Sequence, residues 1–211
     1  MNRRSFVLGA SAAAAAPIGP VLAQTRGRTP GQILGPYYPV LKSRDRDIDL
    51  TTVDGRTGRA AGQIIRVAGR VLDEAGRPMP GVDLEVWQAD ANGHYSHLSD
   101  KTPGGRDPNF QGYAAFKSDA DGTYRFTTIK PGPYRDDGAG GMRAPHIHFQ
   151  VTGPANRLVT QMYFQGEALN DTDRVLAFAQ ANRERLIAKF AAERRGDSLD
   201  TVRWDIVMRD G

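Results

Sequence analysis

The sequence predicts a mostly β protein: a β-sandwich with one long helix and an extended amino-terminal arm. Three observations predict it. From Gln63 to the carboxyl end, short stretches alternate apolar and polar residues, the period of strands with one buried face. Turn-forming runs separate them, at "EAGRPMPG", "DADG", "KPGP" and "TGPANR". The chain has 211 residues and no visible internal repeat, which fits one domain plus an appendage.

The appendage comes first. Residues Met1–Ala23 place Arg3-Arg4 ahead of an apolar, Ala-rich run, the pattern of a twin-arginine export signal, with cleavage expected before Gln24 and the mature protein in the periplasm. Pro17 and Pro20 interrupt a run already too short to span a bilayer comfortably, so no stable membrane anchor is expected. Residues 24–62, rich in Gly, Pro, Arg and Asp, predict the extended arm and include "TPGQILGPYYP". Residues 63–211 form the sandwich domain. Its strands are "QIIRVAGRVLD", "VDLEVWQAD", "GTYRFTTI", "HIHFQVTG", "LVTQMYFQG" and the closing "TVRWDIVM". One helix opens near Asn170–Asp173 and carries Val175, Leu176, Ala179, Leu186, Ile187 and Phe190 along one side.

Composition narrows the chemistry. There is no cysteine, so disulfides and thiolate metal sites are both excluded, and any metal must sit on His, Tyr, Asp or Glu. The formal charge of +4 includes Arg3 and Arg4, and no basic run is interleaved with aromatics, which argues against nucleic acid as a partner.

Two of the four histidines lie one residue apart in "RAPHIHFQVTG". On a strand, Ile147, Phe149 and Val151 take the apolar face, and His146 and His148 share the other at roughly 7 Å between Cβ atoms, close enough to converge on one metal. A partly exposed strand with a polar face explains the pair equally well. Outside this strand, Tyr95 in "ANGHYSH" and Tyr134 at the end of "KPGPY" stand at loop entrances. A hard trivalent cation stabilises phenolate, so two tyrosinates and two neutral imidazoles would suit ferric iron, with one position left for water or hydroxide. Alternatively, the two tyrosines pack their rings and hydrogen-bond their hydroxyls.

"PGVDLEVWQADANGHYSH", "DPNFQGYAAFKSDADGTYRFTTIKPGPY", "RAPHIHFQVTG" and "LVTQMYFQGE" together resemble the successive signatures of intradiol ring-cleavage dioxygenases, most closely the protocatechuate 3,4-dioxygenase type. The similarity runs from about Thr29 to the last strand. It implies non-haem Fe(III) as cofactor, and a catechol-type substrate cleaved by O2 between its hydroxylated carbons to a cis,cis-muconate-type diacid, a step of aromatic catabolism. It also implies metal ligation by Tyr95, Tyr134, His146 and His148, with Tyr134 the ligand that leaves when substrate binds. Arg143 matches the arginine that stabilises charge on the activated ring, Gln161 a polar neighbour in the pocket, and Tyr37 a pocket-lining residue. His97 is expected to support its loop and His94 to be exposed.

The chain departs from the family pattern after Tyr134. It reads Arg135-Asp136 where a tryptophan usually helps shape the pocket, and the insertion "RDDGAGGM" is expected to be flexible, with Arg135 available to an anionic ring substituent. Enzymes of this type often pair related chains, so a homo- or hetero-oligomer is open. Two rival readings stand beside this one. A non-catalytic transthyretin-like or carbohydrate-binding sandwich would explain the strands alone. A zinc or iron(II) enzyme would use His94, His97, His146 and His148.

Overall fold

The computed structural model describes residues 26–40, 42, 47–191 and 199–209, so the expected signal, Met1–Ala23, and its cleavage site lie outside the described residues. Alternation sets the fold. In β1 (Ile64–Leu72), Ile65, Val67 and Val71 are fully buried while Arg66 and Arg70 stay exposed. β2 (Asp83–Gln88) and β3 (Tyr113–Lys117) are buried on both faces at Val86, Trp87 and Gln88 and at Tyr113 and Ala114, while β4 (Thr123–Ile129) alternates as β1 does. The chain continues through a short hairpin, β5 (Tyr134–Asp136) and β6 (Gly141–Arg143), into β7 (His146–Thr152) and β8 (Arg157–Phe164). It closes with β9 (Ile187–Phe190), β10 (Asp200–Arg203) and β11 (Ile206–Val207).

Among the described residues, nine strands form one sheet in the order β11-β1-β10-β9-β8-β7-β2-β3, with β4 also paired to β1. One half, β3-β2-β7-β8, is antiparallel throughout; parallel pairing of β8 with β9 leads into the other half, β9-β10-β1-β4. The halves face each other across the core. The Phe149 ring of β7 lies 6.0 Å from both Tyr124 and Phe126 of β4 and 5.1 Å from Trp204. Leu84, Val86, Phe149 and Val151 are fully buried there, each contributing about 1.5–3 kcal/mol by leaving water.

The helical region lies where the sequence predicts it but in three pieces: a 3-10 turn at Ala168–Asp171, α1 (Arg174–Ala177) and a second 3-10 segment at Gln180–Leu186. Ile187–Phe190, expected on the helix, form β9 instead. Ala188 pairs with Phe164 and Phe190 with Val202, so these backbone groups are satisfied in the sheet. The closing strand breaks at Trp204-Asp205, where Trp204 N–H donates to Ala68 O and Asp205 Oδ1 accepts the Arg70 N–H. The arm is extended, as expected, and crosses the sheet: Thr29 N–H donates to Val207 O (3.0 Å) and Gln32 N–H to Val159 O (2.9 Å). Among the described residues no helix is long and apolar enough to cross a membrane.

Candidate metal centre

The outward face of β2, β7 and β8 is where the chemistry gathers. Strand register sets Trp87, His148 and Gln161 in one row and His146 opposite Tyr163 in the next. Both histidines are buried, with Ile147, Phe149 and Val151 on the opposite, core-facing side. The reading of β7 as a strand with a partly exposed polar face therefore fails: loops and the arm cover that face.

Two of those covering segments carry the tyrosines. Beyond β2, buried Asp90 organises the first loop: its Oδ1 accepts the N–H groups of Asn92 and His94, and its Oδ2 that of Asp107. Asp100 Oδ2 accepts the Tyr95 N–H at 2.8 Å. Gly93 has φ +86°, and a Cβ there would stand 2.5 Å from Pro133 O, so only glycine lets this loop lie directly against the turn before Tyr134. The second segment is the β5/β6 hairpin. It places Tyr134 directly opposite Arg143, where the two side chains share one face.

The donor atoms meet. His146 Nε2 lies 3.1 Å from His148 Nε2 and 3.4 Å from Tyr134 Oη. The Tyr95 ring lies 5.1 Å from Tyr134 and 6.1 Å from His148, and its Oη is buried without a hydrogen-bond partner. His146 Nδ1 sits 2.6 Å from Ala144 O, so Nδ1 carries the proton and the Nε2 lone pair faces His148. Burial, then the charge of Arg143, holds both imidazoles well below their usual pKa, leaving them neutral and able to ligate. Burial pushes Tyr95 well above 10 and Tyr134 up to about 12, so both phenols keep their protons in the protein alone. A donor set of two neutral imidazoles and two phenols that ionise beside a strong positive charge fits a hard trivalent cation. The spacing fits as well, since bonds of about 2.1 Å at right angles hold two donors roughly 3 Å apart.

Arg143 is 1% exposed, which excludes a surface role. Its Nε donates to Asp173 Oδ2 at 2.9 Å, and its Nη2 donates to Gln161 Oε1 at 2.6 Å and Tyr163 Oη at 2.9 Å. Nη1 is buried and unpartnered. Burial opposes the guanidinium charge, but Tyr163, Tyr134 and Asp173 hold the group protonated. Asp173 Oδ2 also accepts the Ala144 N–H, while its Oδ1 caps α1 through the N–H groups of Val175 and Leu176. Gln161 is fully buried, and its Nε2 donates to Ile33 O of the arm. The arm then brings Tyr37 onto Tyr95, with ring centroids 4.6 Å apart and stacked.

Other expectations change. His94, expected exposed, is 6% exposed, with Nδ1 3.6 Å from Asp100 Oδ2, because the loop folds back over it. His97 does support its loop, accepting the Ser99 N–H. Among the described residues no three His, Cys, Asp or Glu side chains gather as a metal site, so the histidine-only enzyme lacks a ligand set. "RDDGAGGM" is not a loose insertion but closes the β5/β6 hairpin, and strand alternation turns Arg135 away from Tyr134 to an exposed pair with Asp137 at 2.8 Å. Tyr95, Ser96, His97, Asp100, Thr102 and Arg106 line an open cleft of about 820 Å³.

Three contributors escaped the sequence reading: Trp87, stacked on His148 at 4.8 Å, Tyr163 and Asp173. Tyr163 could have been found, since it lies two residues from Gln161 on one strand and so shares its face.

A dioxygenase family model matches residues 33–210. The chain is 42% identical over 182 residues to the protocatechuate 3,4-dioxygenase beta chain of Burkholderia cepacia, covering 82% of this chain and 77% of that one. It is 36% identical to the hydroxyquinol 1,2-dioxygenase of Nocardioides simplex, covering 72% of this chain but spanning only 56% of that enzyme. Among solved structures, the dioxygenase domain of a carbohydrate-binding fusion from Streptomyces sp. SirexAA-E superposes with a TM-score of 0.64 at 28% identity, covering 88% of this chain and all of that one. An intradiol ring-cleavage dioxygenase from Tetranychus urticae shares the fold, with a TM-score of 0.69 at 20% identity, over 87% of this chain and 95% of that one. With its matching fold and buried Tyr/His cluster, the chain belongs to the intradiol ring-cleavage dioxygenases, non-haem iron(III) enzymes that open a catechol-type ring with dioxygen.

Proposed function

We propose that Tyr95, Tyr134, His146 and His148 hold the iron, and that the ring opened is a catechol bearing an acidic substituent. The observation that carries the proposal is that His146 Nε2 lies 3.1 Å from His148 Nε2 and 3.4 Å from Tyr134 Oη, beside the unpartnered Oη of Tyr95. Iron(III) held there would supply Lewis acidity, drawing electron density from the catechol ring so that it can react with dioxygen. The chain's own residues do the rest. Tyr95, clamped under Tyr37, would be the phenolate that stays, whereas Tyr134, on a short hairpin, would be the one to yield its place, its oxygen positioned to take a catechol proton. Arg143, gripped by Asp173, Gln161 and Tyr163, keeps a fixed positive charge beside Tyr134 and stabilises negative charge on the ring. Gln161 orients that guanidinium, and Tyr37 roofs the pocket against water.

An acidic substituent is supported by the relative named for protocatechuate and by Arg106 in the cleft beside Tyr95. Arg135 faces the wrong way to serve. The absence of tryptophan after Tyr134 supports tolerance of several substituted catechols. The Arg3-Arg4 pair before an apolar run supports export to the periplasm with removal of Met1–Ala23. A relative described as a beta chain, and Val40 and Leu98 exposed at the cleft, support assembly with another chain.

The test is a panel of catechol, protocatechuate, hydroxyquinol and a sulfonated catechol, followed by oxygen uptake and product spectra. We expect a red-brown protein and higher kcat/KM for the acidic catechols. A preference of about a hundredfold or more for unsubstituted catechol overturns the acidic-substituent reading. A colourless, iron-loaded protein overturns tyrosinate ligation.

A further inference from the structure

The outward face of the other half of the sandwich takes no part in the metal centre, yet its register concentrates charge. Arg66 and Arg70 flank Ala68 on β1 at two residues either side. Ala68 stands opposite Arg125 of β4 and Arg203 of β10, and Arg203 stands opposite Lys189 of β9. Opposed residues in a sheet share a face, so five cations surround one alanine. All five are exposed. Among the described residues none of their side chains forms an ion pair or hydrogen bond.

The other outward positions here, Thr123, Thr127 and Thr201, are neutral. Three carboxylates stand beside the five cations: Asp205 accepts the Arg70 N–H, shares a hollow with Ala68, Arg70 and Arg203 and lies 3.7 Å from Arg26; Asp121 accepts the Thr123 N–H; and Asp49, opposite Thr127, lies 3.8 Å from Arg59. Like charges directly across a sheet oppose folding, and a face serving only solubility mixes its signs. This face opposes Arg203 to Lys189, and its five cations outnumber the carboxylates beside them.

We infer that this face docks on an anionic membrane surface, with its arginines seated among lipid phosphates. Charge complementarity identifies the chemistry, because the planar guanidinium matches phosphate with paired hydrogen bonds. Shape identifies the source. The cations spread over four neighbouring strands, roughly 14 Å across, and about 13 Å along β1, so they meet a plane of headgroups together. A nucleic-acid duplex is a cylinder and offers such a face one line of phosphates. No aromatic side chain occupies these outward positions to stack on single-stranded bases. The metal centre lies on the opposite half of the sandwich, so a docked protein keeps its cleft open to substrate.

The experiment is co-sedimentation of the full chain with vesicles of phosphatidylglycerol and phosphatidylcholine, or of phosphatidylcholine alone, at low and high salt. Using the full chain throughout makes the apolar amino-terminal run contribute equally to every arm. We expect binding to the anionic vesicles, weakened by salt, and a fall of about five-fold per removed cation, so roughly 25-fold for Arg125→Gln with Arg203→Gln. Unchanged turnover in that double variant shows that it is folded. Should it misfold, Arg66→Gln alone is read for its five-fold loss. Equal binding of wild type and variant overturns the inference, as does equal binding to neutral vesicles. Binding to duplex DNA as tightly as to anionic vesicles overturns it in favour of a nucleic-acid face.

Discussion

The two outward faces of this sandwich obey the same alternation and meet opposite fates. On β7 the outward residues, His146 and His148, are buried beneath the arm, the Tyr95 loop and the β5/β6 hairpin. On β1 the outward residues, Arg66 and Arg70, meet solvent. The difference teaches that a strand's polar face becomes an active site only when something else covers it. Cover strips water from the imidazoles and phenols, keeping the former neutral and the latter dependent on a cation. The bare face keeps its charges in water.

The largest effect that would break this contrast is loss of a donor on the covered face. We expect Tyr95→Phe and His148→Ala to lose iron or the visible absorption band, and with it turnover, because water fills an open position weakly. Iron analysis and the spectrum of each variant check this; full iron and full turnover in both would mean that the proposed coordination is wrong. Next comes Arg143→Ala. Turnover should fall by about 10²-fold or more with iron near normal, since a fixed charge beside the ring is lost. Stability should fall too, by about 3–5 kcal/mol in denaturant unfolding, because Asp173 is left charged and buried without its partner. The smallest effect belongs to the bare surfaces. Arg66→Ala should change unfolding free energy by no more than about 0.5 kcal/mol, and Arg135→Ala should leave kcat/KM for acidic catechols within about two-fold. A larger change from either would show that the exposed arginines do more for folding or chemistry than their surroundings indicate.

The sequence made the strands legible where branched or aromatic residues alternate, as in β1, β2, β7 and β8. It hid β3, whose Ala114-Ala115 centre has little β character, and the β5/β6 hairpin, whose glycines and charges read as a loop. The helix was overread because Leu186, Ile187 and Phe190 keep a helical spacing while Ala188 is drawn into pairing with Phe164. At the centre, the four proposed donors were identifiable as types and by resemblance. Their cover was not, because it comes from register: only the pairing of β2 with β7 reveals Trp87 on His148, and only the fold reveals that Asp173, legible as a helix opener, also grips Arg143.

The arm has a consequence in time. Its residues are made before every strand, yet their partners come far later in the chain: Thr160 Oγ1 donates to Pro30 O across 130 positions, Gln161 Nε2 to Ile33 O across 128, and Val207 N–H to Thr29 Oγ1 across 178. During synthesis the arm therefore waits, undocked, until β8 and then β11 have left the ribosome, and only then can Tyr37 settle over Tyr95. The roof is laid after the walls, and an ion that arrives beforehand enters an open room.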